Sequence, residues 1–167
     1  SYKNLVAQQQ QFKNLHITPH AFHTVHPQTL AKVFAENPPF SMHLLESQEE
    51  QELFQRRSGK MSELIKNLAA EMPELDCSPF KMAEAAHWNL NRSLIVHANF
   101  INEADIALMK KWPNLTVVHC PGSFEFFQHN TSPVSQLKKH NIPLALGTDS
   151  LASNRSLNFL DEIRLFC

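Results

Sequence analysis

Apolar, strand-like runs alternate with amphipathic helical stretches along this chain, and that alternation restricts the fold more than any other feature. "LHITPHAF" (15–22) reads as a short strand ending at Pro19-His20, and "HPQTLAKVFAEN" (26–37) follows as a helix. Pro27 suits a first helical turn, and Leu30, Val33 and Phe34 share one face. "FSMHLLES" (40–47) is the next strand. "SQEEQELFQRRSGK" (47–60) opens on a serine cap and an acidic first turn and ends at Gly59 near basic residues, as a helix should. "MSELIKNLAAEM" (61–72) and "SPFKMAEAAHWN" (78–89) add helices to the same connection. Then come strand "SLIVHANF" (93–100), helix "NEADIALMKKW" (102–112), strand "LTVVHCP" (115–121) and helix "SPVSQLKKHN" (132–141). Strand "IPLALGTD" (142–149) and helix "SLNFLDEIRLF" (156–166) complete the pattern. Five strands alternating with helices predict an α/β protein with a parallel sheet built from βαβ units.

Two architectures meet that description, a doubly wound open sheet and a (β/α)8 barrel. Both place functional residues at the C-terminal ends of strands. A dinucleotide fold should show a glycine-rich turn after a strand. The chain has only three glycines, and none forms such a turn, so the barrel is favoured, although five strands do not close one. Length and composition fit one soluble globular domain: 167 residues, 43% apolar and 19% charged, with a net charge of -1. The even charge balance argues against a nucleic-acid partner. No apolar run is long enough to span a bilayer, and no signal-peptide pattern opens the chain. Three widely spaced cysteines suggest a reducing, cytoplasmic setting without a disulfide framework, and no CxxC zinc knuckle occurs.

Ten histidines are many for this length. Polar residues gather at the strand ends: His20 on the first strand, His43 and Glu46 on the second, and His97 and Asn99 on the third. His119 lies on the fourth, and Asp149 ends the fifth in "LALGTDSLASN". Period-2 alternation puts Asp149 on a face with Gly147 and Ala145, and His43 with Ser41 and Leu45. Each residue alone also has a structural reading: a satisfied core histidine, an aspartate capping a helix, a glutamate leading into the next helix. Together they point to a cation site. A carboxylate after a buried strand is costly unless something pairs with it. Imidazole and carboxylate are the usual ligands of catalytic zinc or iron. His43 and Asp149 are therefore the candidate metal ligands.

The residues that carry these groups resemble a known family. "MHLLESQEEQELF", "LIVHANFINEADIALM", "VVHCPGSFEFF" and "PLALGTDSLASNRSLNFLDEIRLF" look like the amidohydrolase superfamily, and "ITPHAFHTVHPQTL" is similar to the segment before them. The likeness is to the aminohydrolase branch, which holds guanine, cytosine and adenosine-type deaminases and triazine chlorohydrolases. "GTDSLASNRSLNFLDEIR" is especially similar to aminofutalosine deaminases. The resemblance implies a partial (β/α)8 TIM barrel, about strands 4 to 8, with residues 1–167 as the C-terminal part of the domain. It implies metal ligation by His43 and Asp149, with zinc, or iron(II) in its place. Asp149 would also take a proton from water, Glu46 would protonate a substrate ring nitrogen, and His97 would contact the attacking water and the reacting centre. His20, His119 and Ser123 fall at positions that touch substrate or form the pocket wall.

The implied function is hydrolytic deamination of an amino-substituted heterocycle such as a purine, pterin or nucleoside-like molecule, aminofutalosine being one example. A chlorohydrolase or amide hydrolase on the same site is the alternative. So is a truncated or degenerate remnant that binds without chemistry. The zinc deaminases of a different fold carry H-x-E…P-C-x-x-C; the H-x-x-E spacing and the lack of PCxxC here exclude that class. The family's first-strand H-x-H pair has no counterpart upstream of residue 20, and Phe124 stands where the family has Asn. The expectation is thus a fragment, inactive alone, that pairs with another segment or as a homo-oligomer to cover its open edges. The partner in the reaction is a small molecule.

Overall fold

Parallel pairing of four short strands organises the chain in a computed structural model that describes residues 2–12, 14–36, 39–66 and 77–167. The strands are β1 (Phe40–Leu44), β2 (Ser93–His97), β3 (Thr116–His119) and β4 (Leu144–Leu146). They lie in the order β1-β2-β3-β4, so each strand pairs with its neighbour in sequence. The register sets His43 opposite Val96, Leu44 opposite His97, and His119 opposite Leu146.

Alternation sorts the side chains into two layers. Phe40, Met42 and Leu44 of β1, Ile95 of β2 and Val117 of β3 enter a core with Phe54, Phe80, Ile106 and Leu137 from the helices. Ser41, His43, Val96 and Val118 take the other parity and are half-buried. Alternation therefore sends His43 out of the sheet on the side away from the core.

Helices α1 (Tyr2–Gln11) and α2 (Pro27–Ala35) precede the sheet. Between β1 and β2 lie α3 (Gln48–Arg56), α4 (Gly59–Leu64) and α5 (Pro79–Ala85). Then follow α6 (Glu103–Met109), α7 (Pro121–Phe126), α8 (Val134–Lys139) and α9 (Phe159–Phe166). Their starts have local causes. Ser47 and Ser78 accept backbone N–H groups of α3 and α5, and Asn102 and Asp105 form a full capping box on α6. Among the described residues, no helix is long and apolar enough to cross a membrane.

Three expectations change. Segment 15–22 is not a strand: it makes one parallel bridge, Ala21 to His43. Pro19 has no N–H to give a ladder, and the chain turns directly after Ala21. The helix read over 47–60 is two helices, because Arg57 adopts a left-handed conformation (φ 47°) and Ser58 starts α4. The helix read over 61–72 is seen only in α4, and residues 67–72 lie outside the described residues. Helices α1 and α7 were not foreseen; Pro121, read as the end of strand 115–121, occupies the first helical turn of α7.

Candidate metal centre

His43 is oriented by the one bridge that the first segment makes. Its N–H donates to the His20 carbonyl at 2.9 Å, and its Nδ1 lies 3.1 Å from the same oxygen. A carbonyl can only accept, so Nδ1 carries the proton and Nε2 keeps a lone pair for a ligand. The His20 ring lies beside it, 4.8 Å between centroids.

His97 reaches the same place by breaking the strand rule. Its register partner is Leu44, a core residue, so strict alternation would bury it on the helix side. Left-handed backbone at His97 (φ 73°) and Ala98 (φ 50°) releases it from that parity. Its ring lies 5.5 Å from that of His43 and is 2% exposed. Leu45 (φ 51°) and Asp149 (φ 56°) are left-handed as well. Such conformations cost non-glycine residues about 1–3 kcal/mol each, and they gather where function needs a fixed direction. They also correct the alternation reading: Leu45 does not share a face with His43 but is buried beside Leu44 in the core.

Asp149 lies beyond the end of β4. Ser153 Oγ donates to Oδ2 at 2.6 Å, and the Ser150 N–H donates to Oδ1 at 2.8 Å. Burial raises its pKa, but bonds from Ser153, Ser123 and the Ser150 N–H outweigh burial and hold it below the usual carboxylate range. The loop is clamped from beneath. Glu162 of α9, 1% exposed, accepts from the Gly122 N–H at 2.8 Å and from Asn154 Nδ2 at 2.5 Å. Asn154 Nδ2 also donates to the Thr148 carbonyl at 2.6 Å, next to Asp149.

Among the described residues, His43, His97 and Asp149 form a group offering one ligand atom each, all within 4.8 Å of one another. His97 Nε2 is buried and has no hydrogen-bond partner. An orphaned imidazole nitrogen facing an imidazole and a carboxylate fits a divalent cation, since buried polar atoms otherwise find partners. Two imidazoles and one carboxylate suit catalytic zinc with a coordination position left open, or iron(II).

Glu46 stands at the rim, its Oε1 3.6 Å from His97 Nε2. Burial raises its pKa, and the negative charge of Asp149 adds to the rise. The two carboxyls of the site are thus driven apart, one towards the acid and one towards the base. Burial lowers the pKa of His97 to about 4 from 6.5, a fall that Asp149 opposes and His43 reinforces. A histidine depressed in the folded state gives stability that is complete above the unfolded pKa and is lost as pH falls. Metal-free protein should therefore lose stability between pH 6.5 and about 4, by up to about 1.4 kcal/mol per pH unit. Urea unfolding of wild type and His97→Asn across that range measures it, and the variant should show the shallower slope.

The other expected site residues are placed as follows. His20 is exposed, with Nδ1 2.9 Å from Thr24 Oγ1, and sits beside His43. Asn99 donates to the Glu46 carbonyl at 3.2 Å. Ser123 is buried and bonds to Asp149. His119 faces away from the group: it shares the parity of Val117 and packs against the rings of Phe124 and Phe166 at 5.6 and 6.1 Å. Cys120 is buried, and burial pushes its thiol up to about 12, which excludes it as a thiolate. A groove of about 560 Å³ runs along the rim, lined by Gln48, Gln51, Asn99, Phe100, His129 and Gln136 among others, and includes none of the three donors. Glu50 and Glu162 were not singled out from the sequence; both read there as ordinary acidic helix positions.

The chain is similar to known proteins along most of its length. The aminodeoxyfutalosine deaminase of a Nitratiruptor species is 30% identical over 126 residues, covering 74% of this chain and 29% of that protein. The chain thus spans less than a third of the length of this curated relative. The crystal structure of Helicobacter pylori aminofutalosine deaminase in complex with methylthio-coformycin superposes with a TM-score of 0.79 at 22% identity, over 99% of this chain and 44% of that one. An adenosine deaminase from Xanthomonas campestris with bound zinc gives 0.70 at 23% identity, over 99% and 36%. These matches place the four parallel strands as part of a barrel fold. The profile of the amidohydrolase family matches residues 4–167, nearly the whole sequence, and the chain belongs to that family.

Proposed function

We propose that the protein to which these residues belong is a metal-dependent deaminase of amino-substituted, purine-like heterocycles. One observation carries the reading: His43, His97 and Asp149 converge within 4.8 Å. Glu46 completes it, 3.6 Å from His97. The deaminases with which the chain shares sequence and fold support the substrate class, and the zinc-bound relative supports the metal.

His43 and Asp149 would hold the ion, with His97 in reach as a third donor. A bound divalent ion would supply Lewis acidity, lowering the pKa of a water towards about 7. The residues of the chain do the rest. Asp149, already hydrogen-bonded by Ser153 and Ser150, accepts the proton of the attacking water. Glu46, whose pKa burial raises, is the carboxyl disposed to carry a proton and would deliver it to the ring nitrogen beside the carbon that bears the amine. His97, neutral because its pKa is depressed, stabilises charge at the attacked centre. Asp149 then passes its proton to the amine, Glu46 takes back the proton of the added hydroxyl, the carbon–nitrogen bond breaks, ammonia leaves, and the ring carbon becomes a carbonyl. His20, exposed beside His43, and Ser123, behind Asp149, are proposed to shape the pocket and hold its base.

Metal content and ammonia release test the reading in the full-length protein. His43→Ala and Asp149→Asn should each lose bound metal and activity on a panel of 6-aminopurine nucleosides. Unchanged metal stoichiometry in both variants overturns the ligand assignment. Release of chloride from chlorotriazines, with no ammonia from any nucleoside, overturns the substrate class.

A further inference from the structure

Glu50 occupies the third position of α3, where the carboxylate of a capping box would receive the N-cap N–H, here that of Ser47. It does something else. Its Oε2 accepts the N–H of Glu46, one residue earlier, at 2.9 Å. The Glu46 carbonyl is taken by Asn99 Nδ2, at 3.2 Å, from the segment after β2. Both backbone polar groups of Glu46 are therefore held by side chains, and the preceding Leu45 is fixed in a left-handed conformation.

The rest of Glu50 is also unlike a cap. The residue is 2% exposed, and its second oxygen lies 3.6 Å from His23 Nδ1. Both of those atoms are buried without a hydrogen-bond partner. The His23 ring is in turn set against Phe54 at 6.3 Å. A buried carboxylate costs free energy that a helix start on the surface does not require. A cap alone needs neither the burial nor the histidine.

We infer that Glu50, backed by His23, is a positioning residue that fixes Glu46 against His97. The inference rests on the reading of Glu46 as the proton carrier. It is tested in the full-length, zinc-loaded protein with Glu50→Ala and Glu50→Gln. Glutamine keeps an oxygen for the Glu46 N–H, whereas alanine removes it. Glu50→Ala should lower kcat on adenosine-type nucleosides about 10²-fold, because small misplacements at a reacting group cost that much. KM and zinc content should stay close to wild type, and Glu50→Gln should recover most of the loss.

A role in folding alone predicts otherwise: a lower Tm in Glu50→Ala with kcat unchanged well below it, and that result overturns the inference. A second readout needs no turnover. Exchange of the Glu46 amide should quicken in Glu50→Ala, the ring nitrogen resonances of His97 should shift, and both should return in Glu50→Gln. Unmoved His97 resonances overturn the inference even in a protein that deaminates nothing. A wild type that deaminates nothing, with those resonances shifted in Glu50→Ala, overturns the deaminase reading and leaves the positioning supported.

Discussion

Glu46→Gln should retain the metal and lose about 10²–10⁴-fold in turnover, the usual worth of a positioned proton donor. The substitution keeps size and shape. Glu46 is one-third exposed, so exchange for an amide disturbs little packing. Its backbone contacts, to Glu50 and Asn99, do not involve the side chain that changes. What is lost is a carboxyl whose pKa burial and Asp149 have raised. Steady-state kinetics with metal analysis on the same preparation separate the outcomes. Near-normal kcat rules out the proton-carrier role, and loss of metal shows that Glu46 is a ligand instead.

The second large effect is on stability. Glu162→Ala should destabilise the protein by about 1.5–3 kcal/mol, because hydrogen bonds to a buried charged group are worth about that much and their partners would be left unmade. The Gly122 N–H and Asn154 would both lose their acceptor. Relaxation is restricted, since Asn154 packs so closely on Gly122 that a Cβ there would meet it at 2.5 Å. The same change frees Asn154, which also holds the Thr148 carbonyl, so metal affinity should fall with stability. Urea unfolding and zinc titration read the two effects. A variant as stable as wild type, with unaltered zinc affinity, shows that the clamp does not secure the Asp149 loop.

The reach of the sequence differs from group to group, for physical reasons. Strands β1 to β4 were legible because their apolar runs are short, β-branched in part, and followed by helices. His43 and Asp149 were legible because a titratable group directly after such a run has few reasons to be there. The direction of His97 was not, since alternation places it with Leu44 and only the left-handed backbone turns it out. A non-glycine left-handed residue leaves only a weak mark in sequence, a bias towards Asn, Asp and His. Glu50 and Glu162 were hidden for another reason. Acidic residues in a first helical turn are normally solvated, and only the tertiary packing of α3 and α9 buries these two. Segment 15–22 misled because its apolar pattern outweighed Pro19, which prevents a ladder.

The strand order also sets a timetable. Because neighbours in the sheet are neighbours in the chain, a polypeptide leaving the ribosome can pair β1 with β2 before β4 has been made. At that point both imidazoles exist side by side with Glu46 at their rim, but without Asp149. Asp149 arrives after β4, and its clamp arrives later still, in α9. On the proposed reading, capture of an ion would wait for β4 and α9. A nascent chain halted after β3 would carry the two strand-end histidines but not Asp149, the carboxylate of the three-donor group.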